Sequence, residues 1–179
     1  MIIFKDIVSG DEIISDTWEM KEIDDVVYEI DCKKVTKGGV DVDIGANPSA
    51  EEADEGLDED KKQVIDVVDA FRLNFLGDEA SGTRLFGDKK AYFGQLKAYL
   101  KKVVEKMKEQ GADEAAIKKF QTSVSNYYTK TIGPNFKDYD FYVGESMDTD
   151  GMVVLLNYRE DGITPFVTIW KHGLSQMKV

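Results

Sequence analysis

DKKAYFGQLKAYLKKVVEKMKEQGADEAAIKKFQTSVSNYYTKTIGP, residues 88–134, carries two helical stripes with one stop between them. In the first, Phe93, Leu96, Leu100, Val103 and Met107 recur at steps of three and four, which places them on one helix face. Lys89, Lys90, Lys97, Lys101, Lys102, Lys106 and Lys108 occupy much of the rest. Gly111 suits a left-handed helix exit, and the Asp113 carboxylate can accept from free N–H groups at the start of the next helix. That helix sets Ile117, Phe120, Val124 and Tyr127 or Tyr128 on one stripe, and Gly133-Pro134 ends it. So short a connection predicts an antiparallel helical hairpin over about residues 88–132.

Strand patterns bracket the hairpin. On its N-terminal side, Val26, Tyr28, Ile30 and Cys32 alternate with Val27, Glu29 and Asp31, as on a sheet with one more deeply buried face. Ser9-Gly10-Asp11-Glu12 and Asp24-Asp25 have turn chemistry, so residues 1–36 read as strands in a meander or hairpin. Val64 to Val68, with Phe71, Leu73 and Phe75 alternating behind, reads as another strand within about 64–76. On the C-terminal side, Tyr139 to Val143, Met152 to Tyr158 and Phe166 to Trp170 are aromatic and branched, with turns at Asp148 to Gly151 and Glu160 to Gly162, so core strands extend over about 139–171. The expectation is an α+β fold in which one mixed sheet, closed by both chain ends, forms a single domain over residues 1–179.

Between Lys37 and Gln63 the pattern collapses. Asp41 to Asp60 holds nine acids and no base, a run that repels itself and buries little, and it reads as a mobile acidic loop. The proline in Asn47-Pro48-Ser49 forbids glycosylation there.

The net charge of -12 is unevenly spread: Asp88 to Lys130 carries ten lysines against five acids. An acidic body forfeits the counterion release that drives nonspecific nucleic-acid binding, so nucleic acid is not an expected partner. No apolar run suits a membrane span, and the short N-terminal apolar stretch, interrupted by Asp6 and Asp11, is no secretory signal. A cytoplasmic protein is expected. One cysteine and one histidine leave no Cys/His zinc cluster and no internal disulfide; Cys32 reads as a core residue and His172 as an ordinary exposed one. With no nucleophile–base pair, metal cluster or phosphate-cradling glycine loop in view, enzymatic activity is not expected.

Three blocks resemble a known family. The opening Met1-Ile2-Ile3, Asp6, Ser9, Asp11-Glu12 and Ser15-Asp16 is one, and Ile44 to Glu51 (IGANPSAE) is the second. Tyr142 to Met147 (YVGESM), followed by Asp150 to Val153 and Tyr158 to Gly162, is the third. Their order and spread are similar to those of the translationally controlled tumour protein family. The resemblance implies a β-tent-like core, related in fold to a zinc-containing family acting on Rab GTPases, with a projecting helical hairpin and a long mobile loop. The cysteines of that zinc site are missing here, so no zinc is implied.

The resemblance also implies partners. The positions of Glu12 and Glu145 are implicated in contact with the small GTPase Rheb, which points to growth regulation and to guanine nucleotide exchange. The lysine-rich hairpin, with Lys97, Lys101 and Lys102, corresponds to a region associated with tubulin and microtubules. Calcium binding is a further family property; here the acidic run and Asp148-x-Asp150-Gly151 lack the spacing of a tight site, so weak, diffuse binding is expected without assigned ligands. Anti-apoptotic partners, a nuclear pool, non-classical secretion and histamine-releasing activity are also implied. Vertebrate members end in a cysteine linked to disulfide dimers, whereas this chain ends in Val179, so a monomer is expected.

Overall fold

The computed structural model describes residues 1–37, 62–78, 81 and 83–179. The acidic run and the Ile44 to Glu51 block lie outside the described residues. Among the described residues the strands are β1 (Ile2–Asp6), β2 (Glu12–Ser15), β3 (Lys21–Ile23), β4 (Val27–Asp31), β5 (Lys34–Lys37), β6 (Lys62–Ile65), β7 (Asn74–Phe75), β8 (Gly77–Asp78), β9 (Thr83–Arg84), β10 (Asp140–Val143), β11 (Val154–Tyr158), β12 (Pro165–Trp170) and β13 (Leu174–Lys178). The helices are α1 (Asp66–Ala70), α2 (Lys89–Glu109) and α3 (Glu114–Tyr127), the last extended by a π-helical turn over Tyr128–Ile132.

The α+β class and the helical hairpin are present, but the strands do not form one sheet. They divide into a three-stranded sheet, β13-β1-β2, and a six-stranded sheet, β3-β4-β12-β11-β10-β7, with two small ribbons, β5-β6 and β8-β9. Each pairing is antiparallel. The two chain ends meet, because β13 pairs along all of β1 from Ile2↔Lys178 to Asp6↔Leu174. That last strand was not read from the sequence: Leu174 to Lys178 is half apolar and borders no strong turn signal.

β12 explains the layering. All six of its residues are buried, so both faces are covered. Ile169 lies opposite Tyr28, whose ring packs 6.4 Å from Phe4 of the smaller sheet. Trp170, on the other face, meets Tyr127 of α3 edge-on at 6.1 Å. One face of β12 therefore looks toward the smaller sheet and the other toward α3, while the end of β1 reaches α2 directly through Asp6 and Tyr99.

Two local expectations change. Residues 66–70 form a helix rather than the continuation of a strand. The cause is Asp66, whose carboxylate accepts from the N–H groups of Lys33 (3.0 Å) and Val67 (2.8 Å) and from Trp18 Nε1 (3.0 Å), tying the chain into a turn where strand hydrogen bonding would have continued. In α2 the buried stripe keeps Leu96 and Val103 of the expected one, but Tyr92 and Tyr99 take the places of Phe93 and Leu100; Phe93 is exposed, and Leu100 and Met107 are only partly buried. Here the Tyr92 ring stacks on Phe141 of β10 at 5.3 Å, and the Tyr99 hydroxyl finds a carboxylate.

The Asp113 and Gly111 ends behave as expected. Asp113 accepts from the N–H of Ala116 at 2.8 Å, and Asp88, which the sequence reading did not single out, caps α2 in the same way through Ala91 at 2.8 Å. Gly111, at φ +87°, donates to the Lys108 carbonyl while Ala112 donates to Met107, a Schellman exit that only a residue at ease in the left-handed region makes without strain.

Candidate functional site

Asp6 builds the first wall of the site. It is 2% exposed at the end of β1, and its carboxylate accepts from Val8 N–H (3.1 Å), Ser9 N–H (3.1 Å), Ser9 Oγ (2.7 Å), Tyr99 Oη (3.0 Å) and Met152 N–H (2.8 Å). The β1–β2 turn is thereby fixed to α2 and to the segment before β11. Asp6 N–H also donates to the Asp11 carbonyl at 2.9 Å, so Glu12 emerges at a set point as the exposed first residue of β2.

The second wall follows β10. Gly144 has no room for a Cβ, because the Asp11 side chain fills that place. Asp11 Oδ2 accepts from Ser146 Oγ (2.7 Å) and Ser146 N–H (3.2 Å), while Asn74 Nδ2 donates to the Gly144 carbonyl at 2.9 Å. Glu145, between these anchors, accepts from Arg72 Nη1 at 2.9 Å. Arg72 adopts φ +54° and Met147, two residues past Glu145, φ +59°. Left-handed backbone at non-glycine residues stores strain, and here it occurs at the ion-pair partner of Glu145 and two residues after it.

Glu12 and Glu145, far apart in sequence, thus line one polar cleft of about 430 Å³, with Lys5, Asp11, Phe71 and Arg72 also contributing. Among the described residues, Asp11 is committed to Ser146 and Glu145 to Arg72, while Glu12 makes no ion pair. An exposed free carboxylate beside an exchangeable Arg–Glu pair, with an aromatic edge nearby, is chemistry for engaging a charged protein surface. Asp6, Asp11, Phe71 and Arg72 were not singled out as site residues from the sequence. Asp11 stood only as a turn acid and Phe71 as a strand residue, and nothing in the spacing of Arg72 marks its left-handed backbone.

The three lysines lie elsewhere, all exposed on α2. Lys97 Nζ sits 5.1 Å from the Phe93 ring centre, and Lys97 and Lys101 border an apolar groove between α2 and α3, which Lys102 does not line. Cys32 is buried, donates to the Ile30 carbonyl at 3.4 Å, and has its thiol pKa pushed up to about 12 by burial, so it is no nucleophile at neutral pH. His172 is not an ordinary exposed residue: it is half-buried, its ring packs 4.5 Å from Phe120, and its Nδ1 is buried without a partner among the described residues. Asp148 accepts from the Asp150 N–H at 2.9 Å, as a turn residue does. Among the described residues, no three Asp, Glu, His or Cys side chains are grouped to share a metal ion, and no helix is long and apolar enough to cross a membrane.

The family model for translationally controlled tumour protein matches residues 1–175, which include both walls of the cleft and the whole hairpin. The chain belongs to that family. It is 57% identical to the translationally-controlled tumor protein homolog of Alternaria alternata, with all of both chains aligned. Among solved structures, it is similar to the translationally controlled tumor-associated protein p23fyp of Schizosaccharomyces pombe, with TM-score 0.76, 46% identity and complete coverage of both chains. The family's protein from Caenorhabditis elegans gives TM-score 0.71 at 29% identity, over 100% of this chain and 99% of that one. The translationally controlled tumour protein fold therefore extends over this chain from its paired ends to its hairpin.

Proposed function

We propose that the protein is a non-enzymatic cytoplasmic regulator that binds a Rheb-like small GTPase at the cleft holding Glu12 and Glu145 and promotes its nucleotide exchange. The observation that supports this reading is the convergence of those two acids, from opposite ends of the chain, on one polar cleft. Glu12 offers a free carboxylate to a basic partner residue. Glu145 can exchange Arg72 for a partner cation, and that exchange frees Arg72 for a partner acid. A carboxylate brought near a bound nucleotide also repels phosphate, which is the direction in which exchange would be driven. The test is an NMR titration of isotopically labelled protein with the same organism's Rheb-like GTPase, nucleotide-free and GDP-bound. Shifts clustered at Glu12, Arg72 and Glu145, and lost in Glu12→Ala, are expected; no shifts at high partner concentration would sink the reading.

A second reading is a microtubule-associated, weakly calcium-binding stabilising protein that acts through the hairpin. It is favoured by Lys97, Lys101 and Lys102, which are exposed and make no ion pair among the described residues. Microtubule co-sedimentation of the triple Lys→Glu variant checks it: unchanged pelleting would exclude these lysines.

A further inference from the structure

Two antiparallel helices cover each other along one seam and leave the outward side of that seam open. Here that side is apolar. Phe93, Leu100 and Val104 from α2 face Phe120, Val124 and Tyr128 from α3 across a groove of about 570 Å³. Leu100, Val104 and Tyr128 are only half-buried, and Phe93 is 39% exposed. The floor of the groove, with Leu96, Phe120 and Val124, belongs to the buried core, whereas Phe93, Leu100, Val104 and Tyr128 form part-exposed walls.

The rims of the groove differ. Lys97 and Lys101 line it on α2, whereas Gln121, Ser125 and Thr129 line it on α3, and no acid lines either rim. The two lysines are one helical turn apart, about 6 Å along the axis, and the stretch from Phe93 to Val104 spans about 16 Å, or three turns. We infer that this groove receives an acidic amphipathic helix of a partner protein. Its apolar seam would fill the trough, and carboxylates one turn apart along one edge would meet Lys97 and Lys101. A third helix in the groove of an antiparallel pair completes a three-helix packing with ordinary side-chain interdigitation. A second copy of this chain fits less well, because α2 carries seven lysines against two glutamates and would meet itself with like charges. A fatty acid has one carboxylate and would leave one of two rim lysines unmatched.

This inference is independent of the GTPase reading and sharpens the hairpin reading by naming the partner's chemistry. The probe is a fluorescently labelled synthetic 18-residue helix with a leucine seam and glutamates along one edge. The control peptide carries lysines at the glutamate positions, and anisotropy is the readout. The acidic peptide is expected to saturate and the basic one not to. Lys97→Glu/Lys101→Glu should weaken the acidic peptide about tenfold and gain affinity for the basic one. Lys102→Glu, outside the groove, should change neither, which separates groove docking from general attraction to a basic helix. Leu100→Gln should weaken the acidic peptide, with circular dichroism checking the fold; the lysine reversals remain decisive if that variant unfolds. Equal binding of both peptides, or no exchange of preference on charge reversal, overturns the inference. So does palmitate binding, or self-association in sedimentation that Leu100→Gln abolishes, where neither peptide binds.

Discussion

Asp6 shows how much one side chain can organise. Five donors from the β1–β2 turn, α2 and the segment before β11 converge on its carboxylate, and replacing it would leave the buried Met152 N–H unsatisfied and the Tyr99 hydroxyl with only its 3.3 Å bond to the Gly173 carbonyl. Asp6→Ala is therefore expected to cost about 3–4 kcal/mol in urea unfolding, more than a surface substitution does. His172 acts through pH. Burial, followed by the neighbouring Lys171, lowers its pKa below 6.5, with Asp25 and Glu22 opposing from the β3–β4 hairpin and Phe120 packing from α3. The unfolded chain then takes up a proton more readily than the folded one. Stability is complete above about pH 6.5 and falls as pH drops toward and through the lower folded pKa. His172→Phe should flatten that decline, as read from thermal unfolding between pH 7.5 and 5. An unchanged decline would assign it elsewhere. Asp25 and Asp31 act in a lower window: Lys171 holds Asp25 below 3.8, and Arg159, against the cost of burial, does the same for Asp31.

Elements were legible in proportion to how local their causes are. The hairpin, the Asp113 cap and the Gly111 exit each depend on neighbours within a turn or so, and all appear where the spacing puts them. Asp113→Ala should accordingly cost about 1 kcal/mol, measurable by urea titration, without disturbing the sheets. α1 was misread because Asp66 bends the chain through Lys33 and Trp18, partners that no local pattern connects to it. The cleft was half legible: Glu12 and Glu145 came from family resemblance, while Arg72 and Asp11 gain their places only once the β1–β2 turn and the end of β10 are packed together. That packing is testable at Gly144. A methyl group there runs into the Asp11 side chain, so Gly144→Ala should displace Asp11, free Ser146 and move Glu145. The expected outcome is weakened GTPase binding in the NMR titration with circular dichroism nearly unchanged. Full binding by that variant would show that the cleft tolerates rearrangement.

Across the whole molecule, the smaller sheet depends on the most distant pairing in the chain. β1 is its central strand, flanked by β2 and β13, so deletion of residues 174–179 leaves one edge of β1 bare and the Ile7 N–H bond to Gly173 without support. The truncated protein is expected to lose cooperative unfolding, or to aggregate at concentrations where the full chain does not. The same pairing also has a consequence for synthesis. β1 is made well before β13, and at about 5–20 residues per second roughly ten to thirty seconds pass between them. Through that interval every nascent copy presents an apolar strand, Ile2-Ile3-Phe4, with an open edge. On a heavily translated message, many such edges would lie close together on one polysome.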